Sequence, residues 1–364
     1  MFSLPGLHRV NRGAEVAFEE VASRLAGASD FDVTLFGSGG TRAGQPYRYH
    51  KLRGISRRFF RHFPRLPYVR DDYAWEELAF APSLYLNYSP AHYDLTVTCG
   101  YPYSNWILRR GRDGARRPAH IFVTQNGDWM AQARNAEFKH FSCDGLICTN
   151  PQYYERHRDR YRCALIPNGV DTATFRPGPA DRAALGLHER SPVVLIVGAL
   201  MPNKRVLDGI SAVAQLPDVQ LVVAGDGQQR RAVDDLGRQL LGERFRRVSL
   251  PRERMPELYR AADVLLHMAQ DEAFGNIYVE ALASGLPVVA HDTPATRWIL
   301  QDQGHFADTS DKMSVVVALR AALDGGRNEG RVAARRALAE ARFDWAIVAR
   351  QYGEFFQDVY RHTH

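Results

Sequence analysis

The chain has 364 residues, more than one typical hydrophobic core accommodates, so two domains are expected. Apolar residues make up 45% and charged residues 24%, the balance of an ordinary soluble globular protein. No apolar run approaches the roughly 18 residues of a membrane span. No charged-then-apolar leader follows Met1, so the cytoplasm is the expected compartment. Cys99, Cys143, Cys148 and Cys163 show no pair at zinc-site spacing and read as free thiols.

Met1–Leu4 makes a short first strand. Ala14–Leu25 places Ala14, Ala17, Phe18, Val21 and Leu25 on one face at helical spacing. Asp32–Phe36 reads as a strand. The Gly37–Gly40 run behind it is an incomplete dinucleotide fingerprint, which argues against a nicotinamide cofactor. The net charge of +6 is concentrated in Arg42–Arg70, where nine Lys or Arg residues occur without an acid. Tyr47, Tyr49, Phe59, Phe60, Phe63 and Tyr68 interleave with them. This stretch suits an anionic membrane surface or an acidic acceptor. No nucleic-acid module accompanies it, and a solvated loop and helix is the plain alternative.

Strands are then expected at Leu95–Cys99, Ile121–Gln125, Leu146–Thr149 and Leu165–Pro167, with helices between them. Turn-forming Asn168-Gly169 and Arg176–Pro179 mark a break. The alternation restarts with Val193–Val197, Leu221–Ala224, Val248–Leu250, Val264–His267 and Val288–Ala290. An aromatic-rich helix, Trp345–Tyr360, ends the chain. Alternation of this kind gives an α/β protein of two doubly wound parallel sheets. The expected domains are 1–172 and 173–344, with the helix 345–364 packing back on the first. Ligands in such sheets sit beyond the carboxyl ends of strands, so useful residues should follow strands, with a cleft between two facing sheets as the natural substrate site.

The most informative stretch is Asp271–Val289. A loop leads into an apolar helix of about nine residues and then a buried strand. Glu280, within that helix, needs a partner because an unpaired buried carboxylate costs several kcal/mol. The hydroxyls of a ribose would serve, and a buried salt bridge is the plain alternative. Gly275 opens the helix, where backbone N–H groups favour phosphate. Glu272 lies in the loop, placed to contact a sugar.

Glu272 and Glu280 stand eight residues apart, and EAFGNIYVEALASGLPVV around them closely resembles family 4 of the retaining GT-B glycosyltransferases. Arg12–Glu15 resembles that family's glycine-rich start of the first helix. Ile166–Asp171 with Phe175–Pro177 resembles its interdomain link, and Val197–Leu200 with Lys204 its phosphate turn. Ala224–Gly227 and Leu258–Val264 also fit. The resemblance implies a GT-B fold of two Rossmann-like domains and sugar transfer from a nucleotide diphosphate. It implies that Glu280 holds the donor ribose and that Glu272 contacts the donor sugar. The backbone of Phe274, Gly275 and Asn276 would lie near the sugar and diphosphate. Lys204 would neutralise the diphosphate, Gly13 and Gly198 would let backbone approach it, and Leu250 would flank the base.

Three departures stand out. Ala199 replaces a common Arg, and Arg205, where Gly is common, is expected to restore the charge. The loop Gln125–Trp129 lacks the family's frequent His, so Asn126 or Asp128, with Arg12, is expected to touch the sugar or acceptor; an Asn-Gly turn is the plain alternative. Met1–Leu4 is short for the first strand. No Asp-x-Asp motif is present, and neither a metal nor a cofactor is expected. The expected partners are a nucleotide-sugar donor and a carbohydrate, lipid-linked or small-molecule acceptor, around residues 8–13 and 100–130, with the inner membrane face as a peripheral contact. A sugar-nucleotide epimerase or hydrolase and an inactive nucleotide-sugar-binding relative are the competing readings.

Overall fold

The computed structural model describes residues 1–28, 30–111, 117–325 and 328–363. Residues 112–116, within the stretch 100–130 expected near the acceptor, and His364, at the end of the last expected helix, lie outside the described residues. The chain divides into two compact units, Met1–Asn168 with Trp345–His364, and Gly169–Asp344. The first unit ends short of residue 172. Val170 donates to the Phe343 carbonyl at 2.7 Å and so belongs to the second.

The first unit carries strands β1 (Phe2–Ser3), β2 (Thr34–Gly37), β3 (Arg48–Lys51), β4 (Leu95–Thr98), β5 (Ala119–Val123), β6 (Gly145–Cys148) and β7 (Cys163–Leu165). All pair in parallel, in the order β3-β2-β1-β4-β5-β6-β7. The second carries β8 (Val193–Val197), β9 (Gln220–Ala224), β10 (Phe245–Val248), β11 (Val264–His267), β12 (Val288–His291) and β13 (Gly304–Ala307). These are also parallel, in the order β10-β9-β8-β11-β12-β13. Strand order therefore reverses beside β1 and β8, and the crevices outside the carboxyl ends of these strands are where ligands enter such sheets. Each sheet is covered by helices, which is why the central strands read as unbroken apolar runs.

Two expected strands sit elsewhere. The strand expected at Leu165–Pro167 is Cys163–Leu165, in register with Leu146–Cys148; Pro167 has no N–H for a ladder. The strand expected at Val248–Leu250 is Phe245–Val248, in register with Leu221–Ala224. It is an edge strand whose Arg246 faces solvent, and that arginine breaks the apolar run. β3, a polar strand at a sheet edge, escapes expectation for the same reason, and β13, the short Gly-His-Phe-Ala edge strand, has too little apolar pattern to mark it.

The helix Trp345–Thr363 buries Trp345, Val348, Tyr352, Phe356 and Val359 in the core of the first unit. It packs along the helix Gly13–Gly27, and Phe356 meets Phe2 with ring centroids 5.9 Å apart. This core fixes the loop Leu4–Arg12, which carries β1 into the helix start at Gly13.

Candidate active site

In the second unit, β8 delivers the turn Gly198–Leu200. Gly198 N–H donates to Ala224 O at 3.0 Å and Leu200 N–H to Asp226 O at 3.0 Å. A Cβ on Gly225 would lie 1.9 Å from Gly198 O. The loops after β8 and β9 thus pack backbone to backbone, which only glycine permits. A short 3₁₀ turn, Pro202–Lys204, follows. Arg205 has φ 51°, in the left-handed region, which is the physical reason glycine suits this position. Its guanidinium pairs with Asp208 at 2.8 Å, so its charge is already engaged. One of its nitrogens, Nη1, is buried without a hydrogen bond among the described residues.

Lys204 Nζ donates to Glu272 Oε2. His267, the last residue of β11, places Nε2 3.2 Å from the same oxygen. Its ring lies edge-on to Tyr278, centroids 5.3 Å apart. Burial alone would raise the Glu272 carboxyl, but the hydrogen bond with His267 and the charge of Lys204 outweigh it and hold it at about 2. Gly275 has φ 83°, and a Cβ there would fall 2.5 Å from the Tyr278 ring. It precedes the helix Asn276–Ala283 without a side-chain cap. Phe274 is buried edge-on against Phe343 and anchors the loop.

Glu280 sits within that helix. Burial pushes its carboxyl up, although the Tyr259 hydroxyl donates to Oε2 at 2.7 Å and the positive charge of Arg252 counteracts the rise. Glu272 and Glu280 are therefore driven in opposite directions, which separates an ionised group from one suited to polar hydroxyl partners. Leu250 lies beyond the end of β10 and packs on the core with Val248 and Met255. It is not at a strand end, contrary to expectation.

In the first unit, Gly13 opens the helix Gly13–Gly27, preceded by Arg12, which makes no side-chain cap. Arg12 Nη1 instead donates to Glu76 Oε2 at 2.9 Å, and Arg9 also pairs with Glu76. Asn126 is exposed, and its Nδ2 donates to Tyr73 Oη at 3.2 Å. The Tyr73 hydroxyl in turn donates to Glu77 at 3.1 Å, and burial pushes the Glu77 carboxyl up to about 8. Asp128, expected to touch the sugar or acceptor, is instead engaged within the first unit. It is 3% exposed, and its oxygens bond Gln132, His157 and Arg156. It braces the loop instead of facing a ligand.

Lys204 and Glu272 are thus brought together, while Glu280 has its own partner in Tyr259. Sequence reasoning missed His267, Tyr259, Glu76 and Glu77. The only signal for His267 was an imidazole ending an apolar strand, five residues before Glu272. Tyr259 lay unremarked inside the Leu258–Val264 segment. The two glutamates had no motif around them. Among the described residues, no three His, Cys, Asp or Glu side chains converge as an ion would need.

The family model described as "Glycosyl transferases group 1" matches residues 178–340, and "Glycosyltransferase Family 4" matches 11–174. A D-inositol 3-phosphate glycosyltransferase of Mycolicibacterium gilvum is 41% identical over 143 residues, covering 37% of this chain and 32% of that protein. Its counterpart in Nocardia farcinica is 35% identical over 215 residues, covering 52% and 46%. The chain thus spans a third to a half of the length of these relatives. Among solved structures, sucrose-phosphate synthase of Thermosynechococcus elongatus superimposes with TM-score 0.78 at 21% identity, over 99% of both chains. Anabaena HepE, in complex with UDP and glucose, gives 0.71 at 18% identity, over 98% of both.

Because the folded Glu272 carboxyl lies near 2 against an ordinary 4.5, its contribution to stability is complete above pH 4.5 and is lost as pH falls toward 2. Lys204→Met is expected to cost about 1–3 kcal/mol at pH 6. The deficit should shrink at pH 2.5, as read by urea unfolding at both pH values. An equal deficit at both would mean that the pair does not hold the carboxylate ionised.

Proposed function

Since the chain belongs to the family 4 glycosyltransferases of the GT-B fold, we propose that it moves a sugar from a nucleotide diphosphate sugar to an acceptor hydroxyl, with retention of anomeric configuration. The observation that carries this reading is the meeting of Lys204, His267 and Glu272 at the carboxyl ends of β8 and β11, where strand order reverses. The donor diphosphate is received by Lys204 and by the start of the helix behind Gly275, with Arg205 beside it and with room left by the missing side chain of Gly198. Glu272 contacts the donor sugar, and Glu280 with Tyr259 holds the ribose. The acceptor is received in the first unit, near Arg12, Gly13 and Asn126.

In the transfer, the bond from the anomeric carbon to the diphosphate oxygen breaks and the acceptor oxygen bonds to the same face of that carbon. The acceptor proton passes to a departing phosphate oxygen. The transition state is oxocarbenium-like, and Lys204 and the helix start stabilise the charge growing on the diphosphate, which is electrostatic catalysis by preorganised groups. No metal is required in this reading. UDP is the first nucleotide to try, since HepE is described in complex with UDP and with UDP-glucose. The acceptor belongs to polysaccharide, glycolipid or glycoconjugate synthesis, or is a phosphorylated small molecule like the one in the relatives' name.

A cytoplasmic enzyme of such a pathway works close to lipid, and the stretch 42–70 supports peripheral contact with an anionic membrane. Arg42, Arg48, Arg57 and Arg70 are paired with acids. Lys51, Arg53, Arg58, Arg61 and Arg65 make no ion pair among the described residues. Ile55, Phe59, Phe63 and Leu66 stand 47%, 63%, 41% and 46% exposed among them. Cationic side chains beside exposed aromatic and aliphatic ones suit a lipid headgroup layer.

Two measurements test these readings. In a thermal-shift panel of UDP, GDP, ADP and dTDP, one nucleotide should stabilise the wild type by about 2.7 kcal/mol at 100 times its Kd. The same nucleotide should not stabilise Glu280→Ala. Stabilisation of both proteins alike would remove Glu280 from the site, and stabilisation of neither would point to the inactive relative. In vesicle sedimentation, the wild type should pellet with phosphatidylserine vesicles and not with phosphatidylcholine vesicles. Phe59→Ala/Phe63→Ala should weaken that binding, and equal pelleting of wild type and variant would take these rings out of the contact.

A further inference from the structure

Glu272 lies on an irregular loop between β11 and the helix Asn276–Ala283, where no helix or strand fixes its side chain. One of its two partners is Lys204, which has a flexible stem and comes from another loop. On the reading above, the donor diphosphate competes with Glu272 for the Lys204 ammonium. The other partner is rigid. His267 ends β11, which is paired with β8 and β12, and His267 itself is in register with Ala290. The residue is 3% exposed, and the Tyr278 ring packs edge-on against the imidazole. A carboxylate only accepts, so Nε2 carries the hydrogen that reaches Glu272 Oε2 at 3.2 Å. His267 Nδ1 makes no hydrogen bond among the described residues, so Glu272 is the polar partner that accounts for an imidazole at this buried strand end. Both donors converge on Oε2, and Oε1 makes no hydrogen bond among the described residues.

We infer that His267 is a positioning residue for the transfer: it pins Glu272 Oε2 when the diphosphate draws Lys204 away, and so keeps Oε1 turned to the hydroxyls of the donor sugar. The inference rests on Glu272 being the donor-sugar contact. A carboxylate that must stay fixed while its cation is shared needs one donor that does not move, and a group displaced by about 1 Å can cost on the order of 100-fold in rate. A structural role for His267 would affect folding and leave turnover of the folded protein intact.

The test uses UDP-glucose, or the glucose nucleotide of whichever base stabilises the protein, with kcat read from nucleotide release. Calorimetry measures binding of the free nucleotide. His267→Leu should melt as a folded protein and bind the nucleotide within about twofold of wild type, while kcat falls about 10- to 100-fold. His267→Gln, which retains an N–H donor, should recover most of that loss. Glu272→Gln should lose at least as much, and His267→Leu/Glu272→Gln should fall no further than Glu272→Gln alone, because the two residues act as one unit. If Glu272→Gln is impaired and His267→Leu turns over like wild type, the positioning role is overturned and the Glu272 reading stands. Equal loss in the Leu and Gln variants would also overturn it. If Glu272→Gln itself turns over like wild type, the Glu272 reading fails and the inference fails with it.

Discussion

The Lys204–Glu272 ion pair ties together two loops that leave neighbouring parallel strands. An ammonium and a carboxylate, each about one-fifth exposed, attract more strongly than a surface pair, yet neither is sealed from an incoming anion. The pair holds the loop after β8 against the loop after β11. It also leaves Lys204 as a cation with a second claimant, because a diphosphate offers more negative charge than one carboxylate. In the proposed function, stability without a ligand and recognition of the diphosphate rest on the same positive charge.

Backbone geometry makes the pairing attainable. Gly225 lets the loop after β9 lie directly under Gly198, which sets the height of the turn leading to Lys204. Arg205 then adopts a left-handed backbone, a mildly unfavourable state for a side chain, and its guanidinium pairs with Asp208. On the other side, Gly275 makes room for the Tyr278 ring, which in turn holds the imidazole of His267. A chain of contacts therefore runs from a glycine at a helix start to the oxygen that Lys204 binds. Glu280, further along that helix, is governed by burial and by Tyr259. The carboxyls of the two glutamates of one short segment are consequently shifted in opposite directions.

Much of this was legible from the residues. Central strands such as Val193–Val197 and Val264–His267 were unbroken apolar runs, and burial on both faces leaves that mark. Edge strands were less legible: Arg48–Lys51 escaped notice and Phe245–Val248 was placed too late, because both put charged side chains in solvent and interrupt the pattern. Lys204, Glu272 and Glu280 followed from local spacing. Partners brought in from elsewhere in the chain did not: Tyr259 reaches Glu280 across 21 positions, and Glu76 gathers three arginines from two separate segments. Asp128 was misjudged because a loop acid beside an Asn-Gly pair looks available. Only the fold shows that His157 and Arg156 already engage it.

In the proposed function the Lys204 ammonium receives the donor diphosphate. The most direct measurement is calorimetric titration of wild type and Lys204→Met with the nucleoside diphosphate of the preferred base, beside the bare nucleoside. The variant is expected to lose about tenfold or more in diphosphate affinity, since a charge-assisted contact to phosphate is worth roughly 1.5–3 kcal/mol. Nucleoside affinity should stay as it is in the wild type. Unchanged diphosphate affinity in the variant would leave the Lys204–Glu272 pair as a tie between loops and nothing more.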